Sequence, residues 1–359
     1  MQITLPKAVN KLKNPSMSLT TLISWSKKEF SELPWRKDRT LYRTLVSEIM
    51  LQQTTVGTVK NHYERFLEKY PTIKSLAEAT DDELTVAWKG LGYYRRARNL
   101  KKIAEAIQFE HGGKFPKSLE KLMEIPGIGP YTANAIVGIG MDERALAVDA
   151  NLERVIARIY GLKSAKGPKL QKEVQALFEE NKILKEKVSY RELNEALMDL
   201  GRNFCQARKA SCELCPLKKN CHAFKVGTPL DFPFIEGEKK KASEHSLHLL
   251  RVIVKKKNKI LAYKKSEKEW LSGQFEIPTF ILSTTDKKLS QYPTLQKEIH
   301  SEVSFPTTIT KYKIKNSVLE LGEKEFKSLS FPHKVVWLDL DDENSNFTTA
   351  TTKALKRIS

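Results

Sequence analysis

The chain has 359 residues, 40% of them hydrophobic and 29% charged. That is long enough for two domains and a large core, and ordinary for a soluble globular protein. No stretch approaches the ~18 apolar residues of a membrane span, which excludes an integral helical membrane protein and predicts no membrane partner. The 62 basic residues against 43 acidic ones give a net charge of +19; this points to a polyanionic partner, nucleic acid being the commonest, against the blander reading of a solubility device.

Residues 1–17 read as a basic tail. The first acidic residue is Glu29 and the first arginine is Arg36, so the composition is not that of an Arg-rich transit peptide. Residues 18–225 read as an all-helical domain. Apolar positions recur at near-helical spacing through Leu41, Leu45 and Ile49, and again over about 58–70, 81–89, 95–110, 118–125, 131–138, 151–160, 169–184 and 190–203. Short Gly- and Pro-containing loops join them. Gly227, Pro229, Pro233 and Gly237 lead into Glu238-Lys239-Lys240-Lys241, so 226–243 reads as a linker. From 244 to 359 the pattern turns to α+β. Strands are expected at 247–254 and 259–263, paired across a Lys-Asn turn, and at 308–320 and 334–339. Helices are expected at 288–300 and after 348.

All four cysteines, Cys205, Cys212, Cys215 and Cys221, fall within a C-x6-C-x2-C-x5-C run. Four thiolates this close can ligate one soft metal centre. A [4Fe–4S] cluster fits better than a zinc ribbon, which usually shows two C-x2-C pairs, but zinc stays a rival on spacing alone. Free thiols, or disulfides in a secreted domain, are the bland alternative. Cysteine usage predicts a reducing, cytoplasmic compartment.

Two further segments carry chemistry. Pro126-Gly127-Ile128-Gly129-Pro130 makes a tight turn between two helical patterns. Gly127 and Gly129 let the backbone approach a partner, and the next helix begins with free N–H groups, as in a helix-hairpin-helix that grips a DNA phosphate. Downstream, Asp149 and Asn151 stand where a helix starts, and an N-cap is the ordinary reading for them. The order hairpin, acid, cysteine cluster shifts the odds.

In that order, and in the runs Leu33-Pro34-Trp35-Arg36, Ser47-Glu48-Ile49-Met50-Leu51-Gln52-Gln53-Thr54 and Gly90-Leu91-Gly92-Tyr93-Tyr94-Arg95, the chain resembles the endonuclease III superfamily of DNA glycosylases, and within it the adenine DNA glycosylase (MutY) family. The resemblance covers about residues 20–225. It implies a helix-hairpin-helix glycosylase domain with a [4Fe–4S] loop at 205–221, acting on double-stranded DNA in base excision repair. The implied activity removes adenine mispaired with 8-oxoguanine or guanine. The implied enzyme is an intracellular, DNA-associated monomer.

By the same resemblance Glu48 is the acid that protonates the leaving base, so burial is expected to raise its pKa. Asp149 is the carboxylate that stabilises the sugar cation, and Asn151 supports it or binds the flipped nucleotide's backbone. Tyr131 stands where bifunctional relatives carry a lysine, so no Schiff base can form there and base removal without efficient strand cleavage is implied. Gln53 and Tyr93 match residues that wedge into the base stack, since the base must leave the duplex. Trp35, Arg36 and Glu195 are candidate linings of the adenine pocket. Arg202, Arg208, Lys209, Lys218 and Lys219 are expected to reach phosphates from around the cysteine loop.

The last 115 or so residues resemble the family's Nudix-like lesion-recognition domain, through Glu269-Trp270-Leu271-Ser272-Gly273-Gln274-Phe275-Glu276-Ile277-Pro278. The Glu-rich metal-binding helix of a working Nudix hydrolase is missing after Gly273. Where the family's lesion-contact loop reads Phe-Ser-His, this chain has Ile309-Thr310-Lys311, so Thr310 and Lys311 are the implied contacts. The alternatives are an endonuclease III-like lyase acting on oxidised pyrimidines, against which Tyr131 argues, and a non-catalytic DNA scanner, against which Glu48 and Asp149 argue.

Overall fold

The computed structural model describes residues 19–183, 187–234, 244–295, 301–341 and 345–358; residues 1–17 and the basic part of the expected linker lie outside them. Contacts divide the chain into two compact units, Met1–Glu78 with Asn99–Glu238, and Ala79–Arg98 with Lys239–Ser359. Among the described residues no helix is long and apolar enough to cross a membrane.

The first unit is helical. Its main helices are α1 (Leu19–Phe30), α2 (Leu41–Leu51), α3 (Val56–Lys69), α4 (Arg95–Glu105, of which the part from Asn99 on belongs to this unit), α5 (Leu119–Glu124), α6 (Pro130–Ala135), α7 (Ala150–Tyr160), α8 (Pro168–Glu179) and α9 (Tyr190–Asn203). Local chemistry sets the starts: Thr40, Thr55, Ser118 and Ser189 each accept a backbone N–H of the helix that follows. Two helices run on into π turns, Ala106–Glu110 and Ile136–Met141, so the expected helix at 131–138 is really a short α6 with a wider final turn. The core forms around α7, which is buried from Leu152 to Tyr160. Leu19, Leu22 and Ile23 of α1 and Leu193, Leu197 and Leu200 of α9 pack against it. These positions recur at three- and four-residue steps, the period of one helix face.

Chain predicted as linker continues this unit. Phe232 is buried, its carbonyl accepts from Arg158 at 2.9 Å, and Lys166 N donates to the Phe234 carbonyl at 3.1 Å. The Gly and Pro residues at 227–233 shape a packed strap up to Phe234 rather than a flexible spacer.

The second unit has two sheets. One runs β5 (Thr279–Thr284), β1 (His245–Ile253), β7 (Tyr312–Glu320), β6 (Val303–Ile309), with β1 and β7 parallel and the other pairs antiparallel. In the other, β3 (Lys259–Lys264) pairs β2 (Lys255–Lys256), β4 (Phe275–Glu276) and β8 (Val335–Asp339). A last helix, α10, spans Thr349–Ile358. The segment Ala79–Arg98 belongs to this unit: Gln274 Nε2 donates to Tyr94 Oη at 2.6 Å and Lys264 Nζ pairs with Asp82 at 2.5 Å.

Three expectations fail here. The Lys257-Asn258 turn joins β2 to β3, whereas β1 enters the other sheet. The strand expected at 308–320 is a hairpin whose two-residue turn is Thr310-Lys311. The helix expected at 288–300 is absent from its described part: Tyr292 is buried, Pro293 breaks any helical ladder, and Thr294 bridges Ile281.

Between the strands lies a buried ion network. Arg251 Nη1 donates to Glu276 Oε1 and Lys265 Nζ to Glu276 Oε2, both at 2.7 Å, while Arg251 Nε donates to Asn316 at 2.7 Å. Burial alone would raise the Glu276 carboxyl; Arg251 and Lys265 outweigh it and bring the pKa down to about 2. Removing one partner leaves the other charges buried and uncompensated. Arg251→Met is therefore expected to destabilise the second unit by about 3–5 kcal/mol, read as an early transition in urea unfolding followed by a probe in this unit; an unchanged midpoint would show that the pair contributes nothing.

Candidate active site

Helix α2 begins with Thr40 Oγ1 accepting from Arg43 N at 3.1 Å, and its buried face carries Leu45, Ile49 and, on the same side, Glu48. Glu48 is only 6% exposed. Tyr131, one residue into α6, donates its hydroxyl to Glu48 Oε2 at 2.5 Å. Burial pushes the Glu48 carboxyl from its ordinary 4.5 up to about 7; the Tyr131 bond opposes this, the Asp149 and Glu195 charges add to it, and Arg36 opposes it. Burial likewise pushes the Tyr131 hydroxyl well up, and the Glu48 and Asp149 charges reinforce that. Glu48, Tyr131 and Asp149 thus share one electrostatic environment.

Asp149 caps α7. Its Oδ1 accepts from the backbone N–H of Asn151 and Leu152, and its Oδ2 from Asn151 Nδ2, each at 2.8 Å. The ordinary reading of this position and the functional one coincide, because the bonds that start the helix also fix the carboxylate. Burial raises its pKa while these donors and Arg154 pull it down. The loop delivering Asp149 is pinned by buried Asn194 of α9, which accepts from Ala147 N at 2.8 Å and donates to Ala145 O at 2.9 Å. Gly201, on the same helix, lets α9 approach: a Cβ there would stand 2.8 Å from Asn151 Cβ.

Arg154, which sequence reading passed over, ties this corner to the cysteine loop. Its Nη2 donates to Asn151 Oδ1 at 2.8 Å and to Gly201 O at 3.0 Å, and its Nε to Cys205 O at 2.6 Å. One turn on, Arg158 donates to Cys205 Sγ at 3.3 Å and Gln206 O at 2.9 Å. The one sequence signal for both was helical: they sit three and seven residues after Asn151, facing away from the apolar stripe.

The four cysteines are free thiols and line one small apolar cavity with Val155, Ile159 and Leu217. Among the described residues no three His, Cys, Asp or Glu side chains converge tightly enough to hold a single ion. Burial pushes the Cys215 thiol up to about 12, a penalty that a cationic centre bound there reverses. Of the basic residues expected at phosphates, Arg208, Lys209 and Lys219 are exposed. Arg202 is not so disposed: it pairs with Asp199 at 3.0 Å and lies over the Phe30 ring. Lys218 pairs with Glu213 at 3.0 Å.

Arg36 and Glu195 come together, Nε to Oε2 at 3.5 Å, and Arg36 Nη1 also binds Asp199 at 2.9 Å. Neighbouring Trp35 packs edge-on to Tyr63. Gly127 turns the hairpin at φ +99, and Asn99 Nδ2 donates to its carbonyl at 3.1 Å. Gly129 precedes α6, with open space where a Cβ would be. Gln53 is exposed and left-handed at φ +55. Tyr93, in the other unit, is 59% exposed and left-handed at φ +47. Non-glycine residues held there store strain of the kind that clusters at functional positions. In the second unit Thr310 is also left-handed, at φ +47, and Lys311 stands 3.7 Å from Asp286.

Residues 46–182 match the family described as HhH-GPD superfamily base excision DNA repair protein. The chain is 34% identical over 249 residues to adenine DNA glycosylase of Buchnera aphidicola subsp. Schizaphis graminum, covering 69% of this chain and 70% of that protein. It is 36% identical over 212 residues to human adenine DNA glycosylase, covering 56% of this chain and 38% of that protein. A solved thermostable thymine-DNA glycosylase is 28% identical and superposes with a TM-score of 0.50, covering 61% of this chain and 98% of that one.

Unfolded, the Glu48 carboxyl titrates near 4.5, and folded near 7. The folded state therefore holds the extra proton between these values, so stability is fully present below about 4.5 and is lost as pH rises through about 7. Gln cannot ionise. Glu48→Gln is expected to gain little over wild type at pH 5 and up to about 3 kcal/mol at pH 8, measured by urea unfolding at both; an equal difference at the two pH values would contradict the raised pKa.

Proposed function

The chain belongs to the adenine DNA glycosylase family, and we propose that it hydrolyses the N-glycosidic bond of adenine mispaired with 8-oxoguanine or guanine in double-stranded DNA, without efficient strand cleavage. The observation that carries this reading is the pair of buried carboxyl groups with different partners: Glu48 pushed by burial to about 7 and bonded by the Tyr131 hydroxyl, and Asp149, also raised by burial, but held by three N–H donors that favour its ionised form. The N–H donors around Asp149 suit it to the anion's role, and the burial of Glu48 suits it to the acid's.

Adenine leaves poorly as an anion. Protonated Glu48 delivers a proton to N7 of the base as the bond to the sugar breaks; Tyr131 orients that carboxyl through its hydroxyl. The sugar left behind is cationic and oxocarbenium-like. Ionised Asp149 stabilises it until water completes hydrolysis, and Asn151 keeps the carboxylate aimed. Tyr131 has no amine, so the covalent imine that precedes strand cleavage does not form there. Trp35, Arg36 and Glu195 wall the extruded base, Gln53 and Tyr93 hold the stack open, and the Gly127–Gly129 hairpin takes a phosphate.

Cys205, Cys212, Cys215 and Cys221 would hold a [4Fe–4S] cluster, which orders the loop bearing Arg208 and Lys209 and takes no part in hydrolysis. Support comes from the four thiols lining one small apolar cavity and from their spacing, which departs from the paired C-x2-C of a zinc ribbon. The second unit acts as a Nudix-like lesion-recognition domain, with Thr310 and Lys311 at the opposite base. The acid of its Gly273-Gln274-Phe275-Glu276 run is occupied by Arg251 and Lys265, which speaks against pyrophosphatase chemistry.

Single-turnover reactions on duplexes with adenine opposite 8-oxoguanine, guanine or thymine test the reading. Breaks are expected only after hot alkali, fastest opposite 8-oxoguanine, and borohydride is expected to trap no covalent complex. Strand breaks without alkali would contradict the role given to Tyr131, and absence of adenine release would overturn the proposed function.

A further inference from the structure

Arg39 lies in no motif singled out from the sequence, yet it makes a two-pronged ion pair with Glu195 of the candidate base pocket. Its Nη1 and Nη2 donate to Oε1 and Oε2 of Glu195 at 2.5 and 3.1 Å, across 156 residues of chain. Arg36 contributes differently. Its Nε stands 3.5 Å from Glu195 Oε2, while its Nη1 is committed to Asp199. Asp199 is in turn held by Ser26 at 2.6 Å and Arg202 at 3.0 Å. Arg36 is thus locked into a buried cluster, and Arg39, with its side chain 24% exposed, is left as the group that binds both Glu195 oxygens.

We propose that Arg39 is a specificity-determining positioning residue: by clamping both oxygens of Glu195 it holds that hydrogen-bond-accepting wall in one orientation, which selects a base carrying an exocyclic amine over one carrying an oxo group. The inference rests on the reading above in which Glu195 lines the base pocket. A carboxylate has lone pairs and no hydrogen to give. Arg39 takes one lone pair on each oxygen, and what remains can meet an N–H donor only. An oxo group at the same place brings two acceptors together with no hydrogen between them, and a site built this way rejects the mismatched analogue strongly.

The clamp needs a guanidinium. A planar fork holds both oxygens and the carboxylate plane at once, whereas an ammonium is a single point of charge. A cavity of about 330 Å³ bordered by Arg36, Arg39, Arg191 and Glu195 adjoins the pair. Without Arg39, water from that side competes for the Glu195 oxygens, and the carboxylate is free to turn. The Glu195 charge also acts on Glu48, so its placement bears on the acid as well as on the base.

The test compares full-length wild type, Arg39→Gln and Arg39→Lys in single-turnover base release from duplexes carrying adenine or hypoxanthine opposite 8-oxoguanine. Hypoxanthine replaces the exocyclic amine of adenine by an oxo group. The expected result is that Arg39→Gln lowers the adenine-over-hypoxanthine rate ratio about tenfold or more, with Arg39→Lys in between. Equal slowing of both bases at an unchanged ratio would make Arg39 merely structural and overturn the proposal, as would no change at all. If Arg39→Gln does not fold, the Arg39→Lys ratio decides in the same way. Failure of wild type to release adenine would instead sink the glycosylase reading, and this inference with it.

Discussion

The site depends on a helix buried on every side that nonetheless carries charge. Ala150–Tyr160 contains Glu153, Arg154 and Arg158 within an apolar core. Buried charges are tolerated only when their hydrogen-bonding capacity is met. Glu153 meets it by accepting from Gly167 N at 2.6 Å. The arginines meet it through carbonyls of Gly201, Cys205, Gln206 and Phe232 and through Asn151. Those partners are the segments that must be immobile: the end of α9, the cysteine loop, the strap to Phe234, and the corner bearing Asp149. Satisfying one helix's side chains therefore fixes a candidate metal loop and a candidate catalytic carboxylate from opposite ends of the same rod.

The other half of the site is held by long-range polar contacts. Glu48 comes from α2 and Tyr131 from α6, 83 residues apart. Arg36 and Arg39 precede α2 and reach Glu195 and Asp199 of α9. The arrangement lets the Glu195 and Asp149 charges push the Glu48 pKa up while Arg36 pulls it down. A carboxyl group poised near 7 is the balance of these opposed effects on top of burial, and it needs the apolar face of α2 to keep water away.

Much of this was legible in the chain, for reasons that differ by element. Helices with repeated apolar steps announced themselves, and four cysteines in one short run could hardly be missed. Asp149 was ambiguous because an N-cap and a functional carboxylate have the same local signature, and here one set of bonds serves both. Arg39, Arg154 and Asp199 were illegible, since their partners lie far away in sequence and an arginine or aspartate on a helix reads as solvated surface. The hairpin at Thr310-Lys311 hid because its turn uses a β-branched residue at φ +47, where glycine or asparagine would have been the signal. The parallel pairing of β1 with β7 is a non-local contact that no local pattern encodes.

The central claim is that Glu48 keeps its proton close to neutral pH because the fold withholds water from it. Carbon-13 spectra of protein labelled at glutamate carboxyl carbons, recorded across pH and assigned by the resonance missing in Glu48→Gln, read that proton directly. A midpoint near 7 is the result the account requires. A midpoint near the ordinary 4.5 would mean that Glu48 is ionised when the base must be protonated, and that the acid of this site lies elsewhere.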